Sequence, residues 1–449
     1  MMGKYLLHFA HEHVTFRWAE FLALTSRHNC RFRLISHIKY LRTRPFIIIE
    51  LIDGTKEESL IKSSRESYLL KGLFELWARS SISVDHLAQE VYDSTPYVTS
   101  GCDSHDQPFR VDCESFGSKL SQTTKLEWIK KLTFLESFQS RPNLSEPKQS
   151  YCIFEMNDKT PQGDVTYREY YFGRLLTRGN RNVINDFSLK KRKFIANTTM
   201  DPMLSLIAAN TAQVKENDFV YDPFVGSGGL LVAAAYKGAY VLGADIDWQL
   251  LHGKSRPSRK GQKTRSLGES VRANLYQYQI GHRYIDVVVS DITRSPLVDS
   301  FVVDSIISDP PYGIRECSEK IGMKKRQALR EHKVRYPSKI TYSIKELLTD
   351  LLSLSAKHLS IGGRLVYYLP VIRTDDALER FIPRHPCLGL ITHCEQQLAA
   401  KVSRLMVVME KTRPLEDGDS VFVPQEVANM NFRDVYFSKS DTAISGQHG

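Results

Sequence analysis

Apolar residues recur along this chain in two rhythms, and the change from one to the other falls near residue 199. Before it, short runs rich in β-branched and aromatic residues predict strands at 4–10, 32–38 and 45–52. Apolar positions three and four apart predict helices at 67–78, 84–92 and 123–134. The mixture predicts an α+β region over 1–150. Pro, Ser and Asn then crowd residues 140–147, breaking both rhythms, and mark a candidate boundary. Two short strands at 151–156 and 170–172 follow and run into a basic linker, so 151–198 reads as a connecting region.

From 199 the pattern becomes a regular alternation. Strands are predicted at 219–221, 240–244, 286–289, 305–308, 364–369 and 405–410, interleaved with helices at 230–236, 266–278 and 344–358. Such alternation predicts an α/β, Rossmann-like domain with a mostly parallel sheet over 199–415. Ile344, Leu347, Leu348, Leu351 and Leu354 follow helical spacing and are core candidates. Residues 416–449 read as a C-terminal tail, small and polar from about Ser438.

Composition changes this picture only through charge. With 449 residues, 42% hydrophobic and 25% charged, the chain is globular in character and long enough for two or three domains. Its formal net charge of +10 is concentrated in two segments, each carrying a local +6: residues 168–193 and residues 252–266. Arg178, Arg181, Lys190, Lys191, Arg192 and Lys193 in the first, and Arg256, Arg259 and Lys260 in the second, are candidate phosphate contacts on nucleic acid. The competing reading is two solvated loops. Seven scattered cysteines without a C-x-x-C pair favour neither a zinc site nor a disulfide framework. His8, His11, His13 and Arg17 interrupt the opening apolar residues, and no apolar run approaches the ~20 residues that span a bilayer. A reducing, cytoplasmic location away from membranes is expected.

The chemistry gathers at predicted strand ends. The buried-looking strand 305–308 runs out into Asp309-Pro310-Pro311-Tyr312, which fixes a carboxylate, a rigid turn and an aromatic ring at one point. Asp309 and a prolyl carbonyl can accept the N–H groups of a planar exocyclic amine while Tyr312 stacks on its ring. A nucleobase is the expected substrate. Upstream, Asp222-Pro223-Phe224-Val225-Gly226-Ser227-Gly228-Gly229 joins a strand to a helix through a glycine turn, with Leu231 where a dinucleotide fingerprint has its third glycine. Asp245 lies 23 residues after Asp222 at the next strand end, a spacing that suits an acid on ribose hydroxyls. Asp291 ends a third strand and is a candidate acceptor for an adenine amine, although as an isolated acid it reads equally well as a helix cap. A ribose, an adenine and no phosphate to cradle point to S-adenosylmethionine. Asp309 then has work to do, since it can draw the delocalised lone pair of the amine toward a sulfonium methyl for in-line transfer. The base must first leave its stack.

Thr199-Met200-Asp201, the glycine turn, Gly243-Ala244-Asp245-Ile246-Asp247 and Asp309-Pro310-Pro311-Tyr312-Gly313, in that order, resemble the amino-methyltransferases. With Leu189-Lys190-Lys191-Arg192-Lys193-Phe194 ahead of them, the stretch is similar to the catalytic subunits of eukaryotic tRNA guanosine-10 N2-methyltransferases. Phe109-Arg110-Val111 and Phe116 are similar to the THUMP RNA-binding region of that family. The resemblance implies a class I methyltransferase domain with an antiparallel last strand, preceded by a THUMP-containing region that grips tRNA. It implies that Thr199, Asp201, Asp222, Pro223, Gly226, Gly228, Asp245 and Asp291 serve the cofactor, that Asp309, Pro310, Pro311 and Tyr312 form the amine site, and that a small zinc-binding activator subunit covers an apolar face of the sheet. Ile195-Ala196-Asn197 departs from the glycine and proline expected before Thr199. Two other readings stay open: a DNA adenine amino-methyltransferase, which shares the Asp-Pro-Pro-Tyr chemistry, and a catalytically idle tRNA-binding scaffold.

Overall fold

The computed structural model describes residues 3–98, 107–138, 140–160, 165–313, 318–322, 339–373, 377–399 and 402–428. The tail expected from Ser438 lies outside them. Two compact units are present, Met1–Arg181 and Asn182–Gly449.

The first unit is built on strands β1 (Lys4–Phe9), β2 (Phe32–Leu34), β3 (Phe46–Leu51), β4 (Leu70–Ser80), β5 (Phe109–Phe116), β6 (Gln149–Lys159) and β7 (Val165–Arg178). They form one sheet in the order β2-β3-β1-β4-β7-β6-β5, antiparallel except for the β5–β6 pair. Helices α1 (Arg17–Arg27), α2 (Glu57–Glu66), α3 (Val84–Val98) and α4 (Gln122–Lys130) accompany it.

Two expectations are corrected here. Residues 67–78 do not form a helix, because most of this stretch is the central strand β4. Its register against β7 slips at Leu73/Phe74 and again at Leu76/Ala78. Each bulge breaks the period of two, so the buried Leu70, Leu73, Phe74 and Trp77 fall three and four apart and imitate a helix. The boundary at 140–147 is also displaced. That loop lies against β5, with Asn143 N donating to the Phe109 carbonyl at 2.8 Å, and β6 and β7 continue the same sheet. The residues set apart as 151–198 therefore divide, and the unit ends at Arg181. An aromatic cluster of Trp77, Phe134, Tyr151 and Phe172 fills the core of this half.

The second unit opens with α5 (Val183–Asp186) and α6 (Pro202–Thr211) and continues β8 (Phe219–Asp222), α7 (Gly229–Tyr236), β9 (Tyr240–Asp245), α8 (Trp248–Leu251), α9 (Val271–Gln277), β10 (Tyr284–Val289) and β11 (Val303–Ser308). Short strands β12 (Glu319–Ile321) and β13 (Lys339–Thr341) pair with each other. Then come α10 (Ile344–His358), β14 (Leu359–Ile372), β15 (Leu388–Gln397), β16 (Val402–Lys411) and α11 (Gln425–Ala428). The sheet order is β10-β9-β8-β11-β14-β16-β15, parallel from β10 to β14, with β16 antiparallel to both of its neighbours. The helix expected over 266–278 shortens to α9, because Ser270 caps it by accepting from Ala273 N at 3.1 Å. Leu347, Leu348, Leu351 and Leu354 of α10 are buried in the core. After β10 the chain returns to pair β11 on the far side of β8, so the order reverses there. A crevice opens at the carboxyl ends of strands at such a reversal.

Candidate active site

Four carboxylates end or follow four neighbouring strands at that crevice: Asp222 ends β8, Asp245 ends β9, Asp291 follows β10 and Asp309 follows β11. All four border one cavity of about 580 Å³, together with Thr199, Asp201, Pro223, Gly226, Pro310, Pro311 and Tyr312.

Each acid is held differently. Asp222 is 1% exposed; its Oδ1 accepts from Phe224 N at 2.9 Å and from Ser308 Oγ at 2.8 Å, which ties the end of β8 to the end of β11. Burial pushes its carboxyl up to about 7, against the pull of those two donors, with the charges of Asp245 and Asp309 adding to the rise. Asp245 accepts from Gly226 N at 2.7 Å through Oδ2 and from Asp247 N at 2.8 Å through Oδ1, which fixes its carboxylate against the glycine turn. Asp291 accepts from Thr293 N at 3.0 Å and from Ile321 N at 2.6 Å, so it both caps a short turn and anchors β12. Asp309 faces Arg404 of β16, whose Nη1 donates to Oδ2 at 3.2 Å.

Glycine has a different use at each of two places in the turn. Gly226 sits at φ +52, and an added Cβ would meet nothing within 4 Å, so its flank is open. Gly228, at φ +77, lies behind the cavity: a Cβ there would come 2.5 Å from Val271 Cγ1. It shapes the turn and admits α9, and is not among the residues that line the cavity, although its neighbours Ser227 and Gly229 are. Asp201 lines the cavity and caps α6, accepting from Met203 N at 2.9 Å. In the segment that departs from the expected glycine and proline, Thr199 Oγ1 lies 2.7 Å from Ser227 Oγ and donates to the Ala196 carbonyl at 2.9 Å, so side-chain bonds hold it beside the glycine turn. The Tyr312 ring packs on the core, and its hydroxyl is buried with no hydrogen-bond partner among the described residues.

The basic candidates divide. Arg192 is 1% exposed, donates to the Phe187 carbonyl at 3.3 Å and lies over the Tyr278 ring, so it belongs to the fold and not to an RNA surface. Arg259 reaches across to the carbonyls of Leu189, Lys190 and Arg192. It too is spent internally, and it fastens the 252–266 loop to the 188–193 turn. Arg265 adds a second fastening, to the Ile195 carbonyl at 3.2 Å and to Glu269 at 2.8 Å. Lys190, Lys191, Lys193, Arg256 and Lys260 remain exposed. In the first unit Arg178 is exposed, while Arg181 is engaged by Glu12 and by the Tyr68 carbonyl, each at 2.9 Å.

Sequence reasoning missed Arg404, Ser308 and Ser227. Arg404 could have been noticed as a lone cation inside the apolar run 402–410.

A parallel sheet with an antiparallel final strand, a glycine turn after β8 and acids at successive strand ends defines a class I, S-adenosylmethionine-dependent methyltransferase domain. The chain matches the Tmrp11 THUMP N-terminal domain family over residues 3–181 and the RMKL-like methyltransferase domain family over residues 190–333. It is 37% identical over 457 residues to tRNA (guanine(10)-N(2))-methyltransferase TRMT11 of Rattus norvegicus, covering 97% of this chain and 95% of the relative. Identity to the Homo sapiens protein of the same name is 36% over 462 residues, covering 97% and 96%. For Dictyostelium discoideum it is 32% over 449 residues, covering 94% and 84%. Among solved structures, TrmN from Thermus thermophilus aligns over 91% of this chain and 99% of its own at 16% identity, with a TM-score of 0.41. The chain belongs to the tRNA (guanine(10)-N(2))-methyltransferase TRMT11 family. Among the described residues, no helix is long and apolar enough to cross a membrane.

The cofactor of this class is S-adenosylmethionine, and the cavity fits it. The turn 222–230 carries no basic side chain for a phosphate, the open flank of Gly226 leaves room for backbone approach, and the Asp245 carboxylate borders the cavity, held against the turn.

Proposed function

We propose that this chain methylates the exocyclic N2 of guanosine 10 in tRNA, and that the residues around the cavity divide the work between donor and acceptor. The observation that carries the reading is that the Asp309-Pro310-Pro311-Tyr312 turn and the Gly226/Asp245 end border the same cavity. In this reading Asp245 holds the ribose hydroxyls, Thr199, Asp201, Asp222, Pro223 and Gly226 border the amino-acid end, and Asp291 borders the adenine end. When bound, S-adenosylmethionine supplies a methyl on cationic sulfur: the amine lone pair forms the new N–C bond, the C–S pair returns to sulfur, and one amine proton leaves to water. Asp309 and the Pro310 carbonyl accept the N–H groups of the amine and orient its lone pair, while Tyr312 gives a ring face to a guanine flipped out of its stack.

The surface supports the reading in two ways. Because Arg259 and Arg265 bind the two basic segments together, Lys190, Lys191, Lys193, Arg256 and Lys260 form one exposed patch leading to Asn197 and Thr199 at the cavity, suited to tRNA phosphates. In the sheet, β10 is an edge strand with Ile285 45% exposed and Val288 and Val289 also bare. That uncovered apolar edge suits the small zinc-binding activator subunit. Cys30, Cys113, Cys152 and Cys387 are buried cysteines outside any disulfide, which suits a reducing cytoplasm.

The test is methyl transfer from labelled S-adenosylmethionine to tRNA transcripts bearing G10 or A10 and to duplex DNA, followed by nucleoside analysis. N2-methylguanosine on the G10 transcript alone is the expected result. Label on DNA only would favour an adenine methyltransferase, and no transfer at all would favour a scaffold.

A further inference from the structure

An arginine inside a strand has to justify its desolvation. Arg404 lies among Val402, Leu405 and Met406, all buried, and a charge in such a place costs several kcal/mol unless it is paired and hydrogen-bonded. Its register partner on β14 is Pro370, yet its guanidinium does not stop there. It passes over the Tyr368 ring at 4.7 Å and ends against Asp309, on the turn beyond the next strand.

Three contacts fix its attitude. The Gln396 Oε1 of β15 accepts from Nη2 at 2.8 Å and from Nε at 3.2 Å, so one amide oxygen takes the Nε/Nη2 edge of the guanidinium. Nη1 is left to Asp309 at 3.2 Å. Nη2 also lies 3.6 Å from Met200 Sδ, one residue from Asp201 on the donor side of the cavity. Arg404 itself lines that cavity.

We propose that Arg404 is a positioning residue for methyl transfer: it sets the plane of the Asp309 carboxylate toward the target amine and ties that plane to the donor-side segment. The inference rests on the reading of Asp309 as the amine acceptor. Asp309 stands on a turn, where a carboxylate can rotate, and transfer falls off steeply when a reacting group drifts by an ångström. With Oδ2 held by a charge-assisted bond, the direction of Oδ1 follows. The neighbouring cation also matches the part the carboxylate must play, which is to accept from N–H groups while remaining an anion. Gln396 and Tyr368 stand behind Arg404 in this chain of support.

The experiment uses the full chain isolated with any subunit that accompanies it, S-adenosylmethionine and a G10 tRNA transcript. R404M should lower kcat by about 50-fold, with KM for tRNA and Kd for S-adenosylmethionine within about twofold of wild type, because the orientation is lost and not the binding. R404K should retain more activity than R404M but fall short of wild type, since an ammonium cannot serve Gln396 and Asp309 in one plane. In R404A, guanidinium ion at tens of millimolar should restore kcat severalfold while sodium chloride at equal ionic strength does not. That rescue is something a merely structural arginine would not give. A kcat for R404M within twofold of wild type, a loss lodged entirely in KM or Kd, or guanidinium and sodium acting alike would overturn the proposal. If wild-type protein itself transfers no methyl to tRNA, the proposed function falls first and takes this assignment with it.

Discussion

Asp222 ends one strand and Asp309 follows its neighbour at the same reversal of the sheet, yet they are opposite kinds of acid. Asp222 is sealed in, served by a backbone N–H and a serine hydroxyl, and its carboxyl is raised to about 7 by burial. Asp309 is a quarter exposed and faces a guanidinium. Position along a strand delivers an acid to the crevice, but what surrounds it decides whether the acid is sealed into the fold or left open to the cavity.

The sharpest way to break this contrast is to remove the acceptor. Asp309→Ala should reduce methyl transfer by about 10³-fold, the loss typical of a deleted transition-state contact, with tRNA affinity within a few-fold of wild type in a filter assay. Turnover that survives would take Asp309 out of the site.

Asp222 should respond to pH instead. Its carboxyl is raised on folding from 3.8, so between pH 4 and 7 the folded chain keeps a proton that the unfolded chain has lost. Stability therefore falls as pH rises through that window and levels off above it. Asp222→Asn cannot titrate there, and denaturant unfolding should show the wild-type-minus-variant difference declining from pH 4 to 7. A level difference would mean the carboxyl is not shifted.

A smaller effect follows at Ser308, the donor that favours the Asp222 anion. Ser308→Ala should cost about 1 kcal/mol at pH 8 and little at pH 5, measured by the same unfolding curves. The mildest test concerns charge outside the crevice. Replacing Lys190, Lys191 and Lys193 together by Gln should weaken tRNA binding at low salt and flatten its salt dependence by up to about three phosphate contacts. An unaltered slope would take the patch off the tRNA surface.

Legibility followed the range of the interactions. The glycine turn, the four strand-end acids and α10 are written in contiguous residues, because a strand end, a turn and an amphipathic face are local matters. β4 was misread because two bulges replace its alternation with helical spacing, and bulges come from pairing with β7 about a hundred residues away. Arg192 looked like part of a nucleic-acid patch because a sequence shows a charge and not the Phe187 carbonyl that takes it. Arg404 stayed hidden for the same reason: 95 residues separate it from Asp309, and only the antiparallel return of β16 brings them together.

The bare rim of β10 has a consequence for how the protein must be made. An edge strand whose Ile285, Val288 and Val289 are exposed offers its outer side to another strand, a second copy of the same edge included. In preparing the protein, concentration therefore governs how often two copies meet along this edge.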